Sequence, residues 1–243
     1  MIEAATDDAI RTRLALVLDA DDHVAAMRLA RELRPWFGVA KVGLELYSAV
    51  GPDSIAPLNE LGYRVFVDLK LHDIPTTVER AARVLGALGA SYATVHAMGG
   101  LEMLRAGVVG LADGAAKAGL DPPVVLAVTV LTSDADAPEH ILGKRVQLAM
   151  DAGCGGIVCA AADLAEVRRL APAMVKVVPG IRPEGTDVHD QARSSTPAEA
   201  FRAGADLLVV GRAVTRAADR AAAAAALVAE VSSSNERFDE DLE

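Results

Sequence analysis

The stretch RVFVDLKLHDIPTTVERAARVLGALG, Arg64 to Gly89, decides the fold. Its first seven residues form a β-branched and aromatic run that ends on charge. The segment from 76 to 89 changes to the Ala, Leu and Arg spacing of an amphipathic helix. The same alternation repeats about eight times along the chain with no Ser/Pro-rich linker. The apolar runs are LALVLD (14–19), VAKVG (39–43), RVFVDLK (64–70), YATVH (92–96), VVLAVTVL (124–131), GGIVCA (155–160), MVKVVPG (174–180) and DLLVVGR (206–212). Helix candidates between them include 23–34, 76–89, 143–153 and 196–204. The last has Thr196 as N-cap, Pro197 at the first helical position, Glu199 three residues on and Gly204 to close it. Eight βα units in one domain predict a closed (β/α)8 TIM barrel over residues 13–231. An N-terminal extension (1–12) and an acidic tail (232–243) would flank it. The competing architecture, an open doubly wound sheet, lacks a GxGxxG after its first strand.

Composition narrows the function. The chain has 243 residues and a formal net charge of −10, with 52% hydrophobic but only 3% aromatic residues, so its core must be aliphatic. Without long Lys/Arg runs it offers no phosphate-neutralising face, and nucleic acid is not an expected partner. The longest stretch free of Asp, Glu, Lys and Arg, from Val84 to Leu101, contains His96, Ser91 and four glycines, so no membrane span is expected. The opening MIEAATDDAI is acidic where a signal peptide would be basic and then apolar, which points to the cytoplasm. Cys154 and Cys159 lie five apart in apolar surroundings and read as buried core thiols. The final twelve residues, SSSNERFDEDLE, set five acids against Arg237 and show no apolar periodicity. They read as a disordered tail.

In a barrel the chemistry gathers at the carboxyl ends of the strands. Asp19 ends the first run and Lys41 lies in the second. Asp68 and Lys70 end the third, with Asp73 just beyond, and His96 ends the fourth. Thr132 follows the fifth, Gly180-Ile181-Arg182 the seventh, and Gly211-Arg212 close the eighth. Strand alternation sends Asp68 and Lys70 to one face. Placing them inside a barrel costs several kcal/mol per ion unless they are paired, an arrangement that structure alone rarely favours.

From DLKLHDIP, Asp68 to Pro75, the chain resembles the orotidine 5′-phosphate decarboxylase family. The resemblance runs from about Leu14 to Thr215. It takes in the Asp ending the first strand, KVG in the second, Asp-x-Lys-x-x-Asp-Ile-Pro in the third and LTS after the fifth. PGIR after the seventh, Asp190-Gln191 and VVGR on the eighth complete it. The third-strand element is equally similar to Mg²⁺-dependent sugar-phosphate lyases and aldolases. Those relatives carry an acid where this chain has Lys41, so a lysine there removes a metal ligand and favours the metal-free nucleotide decarboxylase. A non-catalytic phosphate-binding scaffold would have no need of Asp68, Lys70 and Asp73 together.

The resemblance implies decarboxylation of orotidine 5′-monophosphate to uridine 5′-monophosphate without a cofactor. Lys70 would stabilise and then protonate the ring carbanion, Asp68 would face the substrate carboxylate, and Lys41 and Asp73 would complete an alternating array of charge. It also implies a homodimer in which Asp73 and Thr77 enter the partner's site. Asp19 becomes a ribose ligand, its alternative being an ordinary N-cap for the helix near Asp22. Thr132 becomes a contact to the pyrimidine edge, or merely a helix cap. A phosphate seated after strands seven and eight would meet Arg182, Gln191, Gly211 and Arg212, with the long 182–196 stretch as a lid. Thr76 replaces the family's usual Asn, which affects only how the helix starts. His96 reads as a core or supporting group, and His72, His23, His140 and His189 receive no role.

Overall fold

The computed structural model describes residues 8–132, 134, 137–182 and 195–240, without the side chains of Glu139 and of residues 234–240. Eight parallel strands close on themselves: β1 (Leu14–Val17), β2 (Val39–Val42), β3 (Arg64–Leu71), β4 (Ala90–His96), β5 (Val124–Val128), β6 (Gly156–Val158), β7 (Val175–Val178) and β8 (Leu207–Val210). Sequential strands pair in order, and Leu14 opposite Leu208 joins β8 to β1. All eight apolar runs became strands, so the open-sheet alternative is excluded.

The helices are α1 (Asp8–Arg11), α2 (His23–Leu33), α3 (Leu44–Val50), α4 (Ala56–Glu60), α5 (Pro75–Ala87), α6 (Leu101–Lys117), α7 (Glu139–Ala152), α8 (Leu164–Leu170), α9 (Pro197–Ala203), α10 (Arg212–Thr215) and α11 (Arg220–Glu240). The capping box expected at α9 is present: Thr196 accepts from the Glu199 amide, and the Glu199 carboxylate accepts from the Thr196 amide. Asp22, not Asp19, caps α2, accepting from the amides of Val24 and Ala25. Asp19 is therefore not the cap of this helix. Among the described residues no helix is long and apolar enough to cross a membrane.

Strand alternation divides the core in two. Ala15, Val17, Val39, Phe66, Tyr92, Leu126, Val177, Leu207 and Val209 fill the barrel interior, while the opposite strand faces pack against the helices. Phe66 meets Tyr92 edge to face at 6.1 Å. α5 and α6 pack with their backbones nearly touching. A Cβ on Gly86 would run into the Leu111 carbonyl, one on Gly110 into that of Glu79, and one on Gly114 into that of Arg83.

Both ends of the chain depart from the expected boundaries. Ile10, assigned to an extension, is 7% exposed and joins the core, and the Arg11 carbonyl accepts from the Gly38 amide at 2.8 Å. At the other end α11 continues to Glu240, past Ser232, where a disordered tail was expected. The physical reason lies in RAAAAAALVAE: once this Ala-rich segment nucleates a helix, each further residue adds a hydrogen bond at little cost, and no Gly or Pro interrupts it. Ser232 and Ser233 donate back to the carbonyls of Val228 and Ala229. An acidic sequence without apolar periodicity is therefore compatible with a solvated helix. Residues 1–7 and 241–243 lie outside the described part.

Candidate active site

Counting by two along each strand carries the interior face up to the rim. Val17 leads to Asp19, Val39 to Lys41, Phe66 to Asp68 and Tyr92 to Thr94, so a ring of polar side chains stands on the apolar plug. Asp19, Lys41 and Asp68 of this ring open onto a cavity of about 450 Å³. Its lining includes Asp19, Lys41, Asp68, Lys70, Thr132, Arg182, Gly211 and Arg212. That volume lies in the range of small-molecule sites.

Asp68 is the electrostatic centre. Lys70 Nζ donates to its Oδ1 at 2.9 Å and Lys41 Nζ lies 3.4 Å from its Oδ2, while Asp19 Oδ1 is 3.8 Å from Lys41. The side chains of Lys41 and Asp68 are only 10% and 14% exposed. Burial by itself pushes the Asp68 carboxyl up. The charges of Lys41 and Lys70, and the hydrogen bonds from Lys70 and Thr94, overcome that and hold it below its ordinary value. At an effective dielectric near 20, two cations at these distances contribute about 5 kcal/mol each, enough to outweigh several kcal/mol of desolvation.

The third strand is not regular where it carries these groups. Val67 pairs with Ala93 and Leu71 with Val95, so Asp68, Leu69 and Lys70 stand opposite Thr94 alone, a bulge. Lys70 has φ +50°, the one non-glycine residue with positive φ among those described. A lysine in the left-handed region is strained, and such strain persists where surrounding contacts impose it. Thr94, 1% exposed, supplies them: its Oγ1 accepts from the Lys70 amide at 2.8 Å and donates to Asp68 Oδ1 at 3.0 Å. Sequence reasoning passed over Thr94, although its place two residues beyond Tyr92 marks it as inward-facing.

Arg182 and Arg212 approach the far side of the cavity from the ends of β7 and β8. Partial burial, and then the charge of Arg212, lower the proton affinity of Arg182. Arg182 donates to the Ile181 carbonyl at 2.9 Å, and its amide donates to the Ser195 carbonyl, so the two ends of the segment 182–195 are tied together. Thr132 does not cap α7, whose N-cap is Pro138. Gln191, and the interior of the expected lid, lie outside the described residues.

Asp73 and Thr77 are not part of this cavity. Both are exposed at the start of α5, and Asp73 Oδ1 accepts from the neighbouring Ile74 amide at 2.6 Å. Ile74 beside them is 66% exposed. His96 stands 5.7 Å from His72, ring centre to ring centre; burial first, then Arg145, His72 and Lys70, push its pKa down. Its Nδ1 accepts from the Met98 amide. Cys154 and Cys159 are buried as expected; Cys159 lines the cavity, but burial lifts its thiol to about 12, leaving it protonated.

Comparison with known proteins agrees with this architecture. The family model described as Orotidine 5'-phosphate decarboxylase / HUMPS family matches residues 12–227. The orotidine 5′-phosphate decarboxylase of Anaeromyxobacter sp. (strain K) is 49% identical over 228 residues, 89% of this chain and 97% of its own. That of Moorella thermoacetica (strain ATCC 39073 / JCM 9320) is 42% identical over 233 residues, covering 91% and 92%. The crystal structure of orotidine 5′-phosphate decarboxylase from Lactobacillus acidophilus superposes with a TM-score of 0.77 at 33% identity, over 90% of this chain and 98% of that one.

Proposed function

We infer the function from kinship and geometry together: the chain belongs to the Orotidine 5'-phosphate decarboxylase / HUMPS family. It is an orotidine 5′-phosphate decarboxylase, a carboxy-lyase that converts orotidine 5′-monophosphate to uridine 5′-monophosphate in pyrimidine biosynthesis. We propose that it does so without a metal, as a cytoplasmic homodimer. The observation that carries the metal-free reading is Lys41, whose Nζ lies inside the barrel 3.4 Å from Asp68. A sugar-phosphate lyase on the same scaffold would need an acid there to hold Mg²⁺. An ammonium repels the ion instead.

Loss of CO₂ breaks a carbon–carbon bond and leaves its electron pair on a ring carbon that no carbonyl is placed to relieve. Lys70, aimed by its contact with Asp68, stabilises that pair electrostatically and then donates its proton to the same carbon, drawing a replacement from water. Asp68 faces the departing carboxylate, a like-charge contact that vanishes as neutral CO₂ leaves. Such ground-state effects are worth about 1–5 kcal/mol. Lys41 fixes Asp68 from the other side. Asp73 and Thr77, exposed and absent from the lining of their own cavity, reach the site of a partner subunit.

The nucleotide spans the cavity. Arg182, Arg212 and the open backbone at Gly211 take the phosphate, Asp19 the ribose hydroxyls, and Thr132 the pyrimidine edge; the family resemblance adds Gln191 to the phosphate contacts. The deciding experiment is an absorbance assay with orotidine 5′-monophosphate with and without EDTA. Turnover undiminished by chelation is expected. Loss of activity with EDTA and its rescue by Mg²⁺ would overturn the metal-free reading.

A further inference from the structure

We propose that Thr94 is a positioning residue for the reaction. Its hydroxyl holds the Lys70 backbone in its left-handed conformation and the Asp68 carboxylate in its orientation, so that ammonium and carboxylate meet the substrate in one fixed geometry. This inference rests on the decarboxylase reading above.

The argument begins at the bulge. Three residues of β3 face one residue of β4, so the Lys70 amide has no ladder carbonyl opposite it, and in a buried setting an unpaired amide is costly. Thr94 Oγ1 accepts that amide at 2.8 Å. A hydroxyl has one proton to give, and here it goes to Asp68 Oδ1 at 3.0 Å. One oxygen thus reads the backbone of one catalytic residue and the side chain of the other. Asp68 Oδ1 also accepts from Lys70 Nζ, which closes a ring through Thr94 Oγ1, Asp68 Oδ1, the Lys70 side chain and the Lys70 amide.

That ring explains how the strained φ of +50° is sustained without a glycine. Relaxing Lys70 to an ordinary extended conformation would swing its Cβ, and with it the ammonium, away from Asp68. It would also return the chain to regular alternation, in which position 70 has no counterpart at Thr94. Thr94 itself does not line the cavity, so its effect on chemistry passes through Asp68 and Lys70.

Thr94→Ser and Thr94→Ala differ by a single oxygen and make the decisive pair. Thr94→Ser should keep kcat within about threefold of the wild type. Thr94→Ala should lose kcat by about 10- to 100-fold, the scale of a misplacement near 1 Å, while KM for orotidine 5′-monophosphate changes by less than about threefold. The acid limb of the alanine variant's pH–rate profile should also move to higher pH, since Asp68 loses a donor. A purely structural role would lower the thermal midpoint without splitting kcat from KM or moving that limb. If alanine does not fold, Thr94→Val, which keeps the volume and lacks the hydroxyl, replaces it. A folded hydroxyl-free variant whose kcat lies within twofold of the serine variant overturns the proposal. So does a crystal structure of that variant in which Lys70 keeps its φ and its contact with Asp68. The crystallographic result stands whether or not the wild type decarboxylates the nucleotide; an inactive wild type would instead retire the decarboxylase reading.

Discussion

Arg182 and Arg212, two like charges from the ends of neighbouring strands, are held near enough that one lowers the proton affinity of the other. In the reading proposed above, the nucleotide's phosphate lies between them. A phosphate dianion turns their repulsion into a shared attraction. It also distinguishes this side of the cavity from the Asp68 side, where the charges already balance one another.

Arg212→Ala should raise KM for orotidine 5′-monophosphate about 10- to 100-fold, the worth of a charge-assisted hydrogen bond of ~1.5–3 kcal/mol. Binding of the phosphate-free nucleoside should barely change. Steady-state kinetics and calorimetry measure the two, and equal losses would show that Arg212 does not meet the phosphate.

The depressed pKa of Asp68 makes a stability prediction with a definite sign. A carboxylate held below its unfolded value of about 3.9 contributes stability that is fully present above that pH and lost as pH falls through its lower folded value. Denaturant titrations of the wild type and Asp68→Asn should therefore differ by a constant amount from pH 7 down to about pH 4. Below that the gap should narrow. The plateau should be about 3 kcal/mol, since the substitution removes the counter-charge that Lys41 and Lys70 share and leaves Lys41 only Asp19 at 3.8 Å. A gap that widens on acidification would contradict the ionised state of Asp68.

A shared site predicts complementation. Lys70→Ala and Asp73→Asn should each be nearly inactive alone. Mixed in equal amounts and allowed to exchange, half the dimers carry both variants, and each of those has one intact site of two, so about a quarter of wild-type activity should return. Native mass spectrometry checks the exchange. Exchange without recovered activity would confine Asp73 to its own subunit.

The last helix should divide into two parts. Leu227 is fully buried, and Leu227→Ala should cost about 2–5 kcal/mol, lowering the thermal midpoint by about 5–15 °C. Truncation after Ser233 should shift it by less than about 2 °C, because the buried Val231 is retained. A large shift on truncation would mean that residues beyond Ser233 pack against the barrel.

Much of the barrel could be read from period alone. Runs such as LALVLD and DLLVVGR are too short and too β-branched for helices, and their spacing leaves room for one crossover each. The rim residues Asp19, Lys41, Asp68, Lys70, Arg182 and Arg212 were legible because charge at the end of an apolar strand has few structural uses, and Thr132 because it directly follows such a run. The bulge was not. Regular alternation also puts Asp68 and Lys70 on one face, so the strand reads the same with or without the irregularity, and nothing local announces a left-handed lysine. Thr94 escaped for a related reason: a threonine inside YATVH is ordinary strand composition, and its importance exists only across the ladder. The helical course of 232–240 was missed because a solvated helix needs no apolar stripe when the preceding segment has already nucleated it.

The glycine contacts between α5 and α6 reach beyond packing. With Gly86, Gly110 and Gly114 pressed against facing backbone, no side-chain layer separates the two helices, so a shift of one must be felt by the other. Asp73 and Thr77 stand at the start of α5. A Gly110→Ala change, remote from the cavity, would displace the start of α5 and, under the shared site proposed above, reach the partner's catalysis.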